Sequence, residues 1–268
     1  MEFNCRLHQD ANAYHKKHLY LRPHPCLRKA IAHYTYMQNQ LFADEAKLTL
    51  VPDASGCIVI QVSDTGLSCR FWGGTTTAIQ VHADASHTYF HFFIEFLPGG
   101  AFAFLHHNQS VYSNQILTLD TVFPSFTAAI SQLYETSDTL IQFTQGIDTL
   151  FLNRLEMPNR SIPFIQQQLH QGQTIASITA QIGYSQRHLQ RLFQAQIGCT
   201  MKEYQRIARV NRAVHYLQTS IDPLREIAQL CGFYDEAHFL HDFQSVMNLT
   251  PRTYQKQMSV FYNELYKF

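Results

Sequence analysis

From Ile162 onward the chain repeats itself at a spacing near fifty residues, and this duplication limits its possible folds more than any other feature. Ile178 recurs as Ile227 and Gly183 as Gly232. After a one-residue insertion, Leu189 recurs as Phe239, Phe193 as Phe243, Gln194 as Gln244 and Thr200 as Thr250. Each copy reads as two short helices around a tight turn. Thr174 and Asp222 are predicted N-caps, the latter followed by Pro223 at the first helical position. Ile175, Ile178 and Ile182 form one buried stripe, and Leu224, Ile227 and Cys231 form its counterpart. Gly183 and Gly232 stand where one helix must stop and the chain turn with positive φ. Ser185 and Asp235 cap the next helices. Gly198 and Asn248 end them, and Thr200 and Thr250 cap the helices beyond.

Removing the buried positions leaves an outward face on each second helix. In the first copy it carries Gln186, Arg187, His188, Gln190, Arg191 and Gln194; in the second, Tyr234, Glu236, His238, His241, Asp242 and Gln244. Long polar and basic side chains of this kind reach base edges and phosphates when a helix lies in a major groove. Ser185, Thr200 and Thr250, at the helix starts, join the candidate contacts with double-stranded DNA. In a single copy a solvated surface helix would look the same. The tandem arrangement argues against that reading. A long connecting helix, predicted over Met201–Gln218, joins the two copies with Tyr204, Ile207, Val210, Val214 and Leu217 on its apolar side. Its other side carries Lys202, Arg206, Arg209 and Arg212 as positive charge.

The chain before this point has a different period. Short apolar runs at Leu48–Val51, Cys57–Val62 and Tyr89–Phe96 are broken by Pro52 and Asp53, Asp64–Gly66, Gly73 and Gly74, and Pro98–Gly100. This reads as a sandwich or jelly-roll-like barrel over about residues 21–124. In the run His87–Phe96, Thr88, Phe90, Phe92, Ile94 and Phe96 share one face, and His87, Tyr89, His91, Phe93 and Glu95 the other. The pattern leaves open which face points inward. Helical periodicity follows over residues 125–156, and residues 157–161 read as a linker. The expected fold is therefore α+β and two-domain: a β-barrel or jelly roll with flanking helices over 1–156, then an all-α tandem helix-turn-helix domain over 162–268.

Net charge is zero, but residues 1–160 hold ten basic against thirteen acidic residues, and 161–268 hold ten against seven. The balance of +3 on the repeated half is a weak pointer to nucleic acid. The polar start, Met1–Asp10, lacks the apolar stretch of a signal peptide, and no apolar run approaches the roughly 20 residues that span a bilayer. The chain is read as cytoplasmic, with no membrane partner. Cys5, Cys26, Cys57, Cys69, Cys199 and Cys231 show no CxxC spacing and read as reduced and mostly buried small hydrophobes.

Histidines at 82, 87, 91, 106 and 107 cluster in or beside the β region. His87, His91 and Glu95 share a face but lie four residues apart, about 13 Å at 3.3 Å per residue, too far to share one ion. No metal or other cofactor is expected, and no nucleophile elbow or phosphate-cradling glycine loop is present in the sequence. Trp72, Tyr89, Phe93 and Phe102 are the candidate lining of a pocket for a small organic ligand, with core filling as the alternative for each ring.

These features together resemble the AraC family of transcription regulators. The resemblance covers about Ile162 to Gln257. It rests on Ile178, Gly183, Tyr184, Ser185, Leu189, Gln190, Arg191, Leu192 and Phe193; on Arg209, Val210, Asn211, Arg212, Ala213 and Leu217; and on Ile227, Ala228, Cys231, Gly232, Phe233, His238, Phe239, Phe243, Thr250, Pro251 and Tyr254. It implies sequence-specific DNA binding with both second helices in successive major grooves, about one helical turn apart. The chain departs from the family pattern at His241, where a basic residue is usual, and at Gln244, where Lys or Arg is frequent. Both are weaker phosphate partners than a guanidinium, so the first copy is expected to dominate affinity and the second to bind more weakly or read different bases. Equal contributions through backbone contacts are the alternative. Residues 21–124 are similar to the cupin-like sensory domains that precede some such DNA-binding domains, through Val51, Pro52 and Asp53, Gly73 and Gly74, and Glu95–Gly100.

The leading expectation is a DNA-binding regulator, not an enzyme, controlled by a small-molecule effector. RNA polymerase and a second copy of the chain are further partners it admits. Two alternatives stay open: control by a protein partner or by dimerisation without a small ligand, and a cupin-like enzyme with a helical interaction tail.

Overall fold

The computed structural model describes residues 18–38, 48–81, 88–156, 161–257 and 261–262 of the 268. His82, His87, Cys5 and residues 157–160 of the expected linker lie outside the described residues. The strands are β1 (His18–Leu21), β2 (Ile31–Gln38), β3 (Leu48–Leu50), β4 (Cys57–Ser63), β5 (Gly66–Trp72), β6 (Ile79–Val81), β7 (Thr88–Phe96), β8 (Ile116–Thr118) and β9 (Phe261–Tyr262). Helices α1 (Phe102–Leu105), α2 (Leu119–Val122), α3 (Phe126–Thr136) and α4 (Leu140–Leu152) complete the first half. The second half holds α5 (Ser161–His170), α6 (Ile175–Ile182), α7 (Gln186–Ile197), α8 (Met201–Thr219), α9 (Leu224–Leu230), α10 (Glu236–Met247) and α11 (Pro251–Lys256). No helix among the described residues is long and apolar enough to cross a membrane.

Six strands form an antiparallel sheet in the order β1-β2-β7-β4-β5-β8, and β6-β3-β9 form a second, smaller sheet in which β9 runs parallel to β3. The alternation along β7 fixes what each face of the large sheet does. Phe90, Phe92, Ile94 and Phe96 are at most 2 % exposed. They meet the flanking helices edge-on or tilted: Phe90 against Tyr134 (6.0 Å between centroids), Phe92 against Phe143 (5.2 Å) and Phe96 against Phe151 (6.1 Å). Helices α3 and α4 thus cover this face from outside. Burying an aromatic ring of this size is worth about 1.5–3 kcal/mol, and edge-on pairs add about 0.5–1.5 kcal/mol.

The opposite face is of mixed polarity. Strand register sets Trp72, Cys57, Glu95 and His33 in one row across β5, β4, β7 and β2, and Arg70, Val59, Phe93 and Thr35 in the next. This face is not open to water throughout, since Thr35 is 1 % exposed and Glu95 7 %. Thr35 Oγ1 and Trp72 Nε1 are buried without a hydrogen-bond partner among the described residues. Burial lowers the His91 ring to about 4.

A second hydrophobic core belongs to the helices. Helix α8 runs through it with Tyr204, Ile207, Val210, Val214 and Leu217 all at most 3 % exposed. Ile178, Leu189 and Phe193 enter from one repeat and Ile227, Phe239 and Phe243 from the other, all fully buried. Thr174, Ser185, Asp235 and Thr250 cap their helices through their side chains, and Thr200 forms a capping box with Glu203. One expected cap shifts. Pro223, not Asp222, occupies the N-cap of α9, because its fixed φ (−59°, ψ 147°) makes the extended entry one residue later. The buried thiols of Cys69 and Cys199 are pushed up to about 12 and that of Cys231 to about 11, which keeps them protonated.

Candidate nucleic-acid interface

In α7 the cap sequence and apolar spacing leave one face outside. The Ser185 hydroxyl accepts the His188 N–H (3.3 Å), while Leu189 and Phe193 anchor the helix inward. Gln186, Arg187, His188, Gln190, Arg191 and Gln194 are all exposed. His188 stands edge-on to Tyr184 (4.8 Å), and its Nδ1 lies 3.5 Å from an Arg191 guanidinium nitrogen. Among the described residues no side-chain hydrogen bond or ion pair engages Arg187, Gln190 or Gln194, so these side chains are available for base edges or phosphates.

Helix α10 is built on the same frame, with Asp235 capping the His238 N–H at 2.7 Å. Its outward face differs from the sequence expectation. Asp242 is 4 % exposed, not outward. Its carboxylate pairs with Arg209 (3.0 Å), Arg206 (3.4 Å), His238 Nε2 (3.2 Å) and His241 Nδ1 (3.7 Å). Arg209 also lies over the Phe233 ring (5.4 Å). Arg206 and Arg209, read from sequence as positive charge on the polar side of α8, are thereby drawn to α10, because a carboxylate withdrawn from water needs charged partners. His238 is engaged at both nitrogens: Nδ1 accepts the Tyr234 N–H (3.3 Å), which leaves Nε2 to donate to Asp242. Tyr234 is 91 % exposed, and His241 and Gln244 are exposed; Glu236 is half-buried.

Thr200 and Thr250 are exposed but occupied by capping. Thr200 accepts the Glu203 N–H (3.2 Å) and donates to its carboxylate (2.7 Å), and Thr250 accepts the Thr253 N–H (3.2 Å). Sequence reasoning missed Ala237 and Leu240, both exposed on α10. The repeat spacing carried the signal, since counting from the caps sets them opposite Arg187 and Gln190.

The β region holds both units at corresponding places. Ser113 donates to the Gly198 carbonyl at the end of α7 (2.7 Å). Gly99 comes so near that a Cβ there would stand 2.7 Å from Ile197 Cδ1. At the end of α10, the Ala78 N–H donates to the Val246 carbonyl (2.8 Å), and Asn248 reaches the Ala78 carbonyl (3.5 Å). Between these points Asn211 of α8 donates to the Pro52 carbonyl (2.6 Å) and to that of Ile207 (3.0 Å). From α5, Gln166 donates to the Pro98 carbonyl (3.1 Å).

The candidate ligand pocket is only partly assembled. Trp72 and Phe93 share the mixed face of the large sheet, in neighbouring rows with β4 between their strands. Tyr89 is 40 % exposed, and Phe102 stands off the sheet on α1, edge-on to His106 (6.0 Å).

A family model described as a helix-turn-helix domain matches residues 168–257, and one described as a domain of unknown function matches residues 20–118. The probable transcription factor PqrA of Proteus vulgaris is 36 % identical over 91 residues, which are 34 % of this chain and 75 % of that protein. The chain belongs to the AraC family of transcription regulators. Its helical half is an AraC-type DNA-binding domain that carries both helix-turn-helix units. The transcriptional activator NphR of a Rhodococcus species is 33 % identical over 107 residues, 40 % of this chain and 32 % of NphR, so the match spans about a third of that relative. A solved AraC-type regulator from Chromobacterium violaceum is 28 % identical with a TM-score of 0.33, covering 36 % of this chain and 87 % of that one.

Proposed function

We propose that the chain is a sequence-specific regulator in which residues 162–268 read duplex DNA and residues 1–156 sense a small polar molecule. In the reading half, Gln186, Arg187, His188, Gln190 and Arg191 of α7 take base edges and phosphates in one major groove. Helix α10 enters the next with Tyr234, Glu236 and His241 on its outer side. The observation that carries control by the β region is its attachment to the ends of both reading helices, at Gly198 and at Val246 and Asn248. A ligand that favours one arrangement of the sheets then favours one arrangement of the readers, and it shifts DNA affinity by its differential binding alone.

The mixed face of the large sheet supports the sensing role. A buried polar atom without a partner costs about 1–3 kcal/mol. Thr35 Oγ1 and Trp72 Nε1 are two such atoms on that face, on β2 and β5 with β7 and β4 between them, and a hydrogen-bonding ligand that reaches either one removes that cost. A thermal-shift screen of the full chain against sugars, amino acids and short carboxylic acids tests the reading. A true effector raises the melting temperature, changes operator affinity, and loses both effects in Thr35→Val. A ligand that stabilises the protein and leaves DNA affinity unchanged contradicts control through this domain.

A further inference from the structure

The two reading helices differ most at positions that their shared frame makes equivalent. Counted from the caps Ser185 and Asp235, Arg187 of α7 corresponds to Ala237 of α10, and Gln190 corresponds to Leu240. All four are exposed, with Leu240 at 36 %. The polar side chain that begins the face of α10, His238, is withdrawn by its bonds to the Tyr234 N–H and Asp242. Its counterpart His188 remains exposed on α7. Ala237 and Leu240 lie three residues apart and so share one strip of the helix. Exposed His241 and Gln244, the counterparts of Arg191 and Gln194, border that strip with polar groups, as a contact between two phosphate strands requires.

An apolar strip cannot satisfy the donors and acceptors of a base edge. Pressed against them it would strip their water and leave them unpaired, which is unfavourable. The major-groove edge of unmodified DNA offers one apolar group, the C5-methyl of thymine. We infer that the second unit reads thymine methyl groups through Ala237 and Leu240, with His238 as a positioning residue that fixes the turn before the helix. This rests on the DNA-binding reading and adds to it a base preference for the second half-site. The first unit, with Arg187, Gln190 and Arg191 outward, reads by hydrogen bonds instead. The same strip on a protein-binding surface would have no reason to match the base-reading positions of its sister helix.

The test uses the full chain and a duplex chosen from a random pool by binding. Each thymine is replaced in turn by deoxyuridine, which removes the methyl and keeps every hydrogen-bonding group. Half-sites are assigned by the base preferences that Arg187→Ala and Arg191→Ala relax. In the half-site of the second unit, deoxyuridine at one or two positions weakens binding about fourfold each, the loss of about 0.8 kcal/mol per buried methyl. Leu240→Ser abolishes that sensitivity at the thymine its side chain covers. In the first half-site, sensitivity to the methyl is absent or smaller. Specific binding that tolerates deoxyuridine throughout the second half-site overturns the inference and leaves the regulator reading intact. If Leu240→Ser leaves operator affinity unchanged but lowers transcription from the operator, the strip belongs to a protein partner and the inference is again overturned. If no duplex is enriched at all, the DNA-binding reading itself fails.

Discussion

Asp242 shows how one buried carboxylate organises the surroundings of a reading helix. It is 4 % exposed, and two guanidinium groups from α8 and two imidazoles from α10 converge on it. Asp242→Asn keeps the size and removes the charge those groups lean on. The expected loss is about 1–3 kcal/mol of folding stability, read as a lower urea midpoint. An unchanged midpoint would mean that the cluster is solvated rather than structural. His91 gives a residue-level test in the other half. Burial lowers its ring from 6.5 to about 4, so the folded chain holds it neutral. Its contribution is complete above pH 6.5 and falls as pH drops towards 4, where the unfolded chain alone has taken the proton, by about 3 kcal/mol in all. Comparing urea midpoints of the wild type and His91→Gln across that window checks this. A difference that stays constant with pH contradicts it. Sequence alone left Asp242 on the outer face, because its i+4 partner His238 and the cross-helix arginines become visible only once α8 and α10 are packed.

The elements themselves were largely legible. Apolar spacing and capping residues mark α6, α7, α8, α10 and α11 to within a residue, since the Ser185, Asp235, Thr200 and Thr250 caps act on neighbours three positions away. Strands β4 and β7 follow from short apolar runs bounded by turn residues, and β7 also from its period-two alternation. Pairings that depend on distant chain were not legible: β9 joining β3 parallel across some two hundred residues leaves no local trace. The two reading helices should contribute unequally. Arg187→Ala with Arg191→Ala should weaken operator binding more than His238→Ala with His241→Ala. Each lost arginine that contacts a phosphate should also reduce the salt slope by about one. Titration by gel shift at several salt concentrations measures both, and the reverse order of effects refutes the assignment.

Across the whole molecule, the contacts between the β region and the helices couple two cores that the sequence presents as separate. Asn211, 8 % exposed, gives one side-chain amide to Pro52 and Ile207, and Ser113 holds the Gly198 carbonyl. Replacing both by Ala leaves buried carbonyls unpaired, at about 1–3 kcal/mol for each such group. The expected result in calorimetry is that one cooperative unfolding transition separates into two. A single, merely lowered transition would show that these bonds do not couple the cores. The repeat made the reading half legible as a unit, while the docking surfaces were hidden because Pro52, Ala78 and Ser113 present backbone and a small hydroxyl, which carry no sequence pattern.

Selection of bound duplexes from a random pool by the purified chain decides whether both helices read one duplex. Two helices carried by one connecting helix predict a bipartite motif whose halves lie about one helical turn, roughly 10 base pairs, apart. Enrichment of a single compact box, with no second half-site at that spacing, would contradict it.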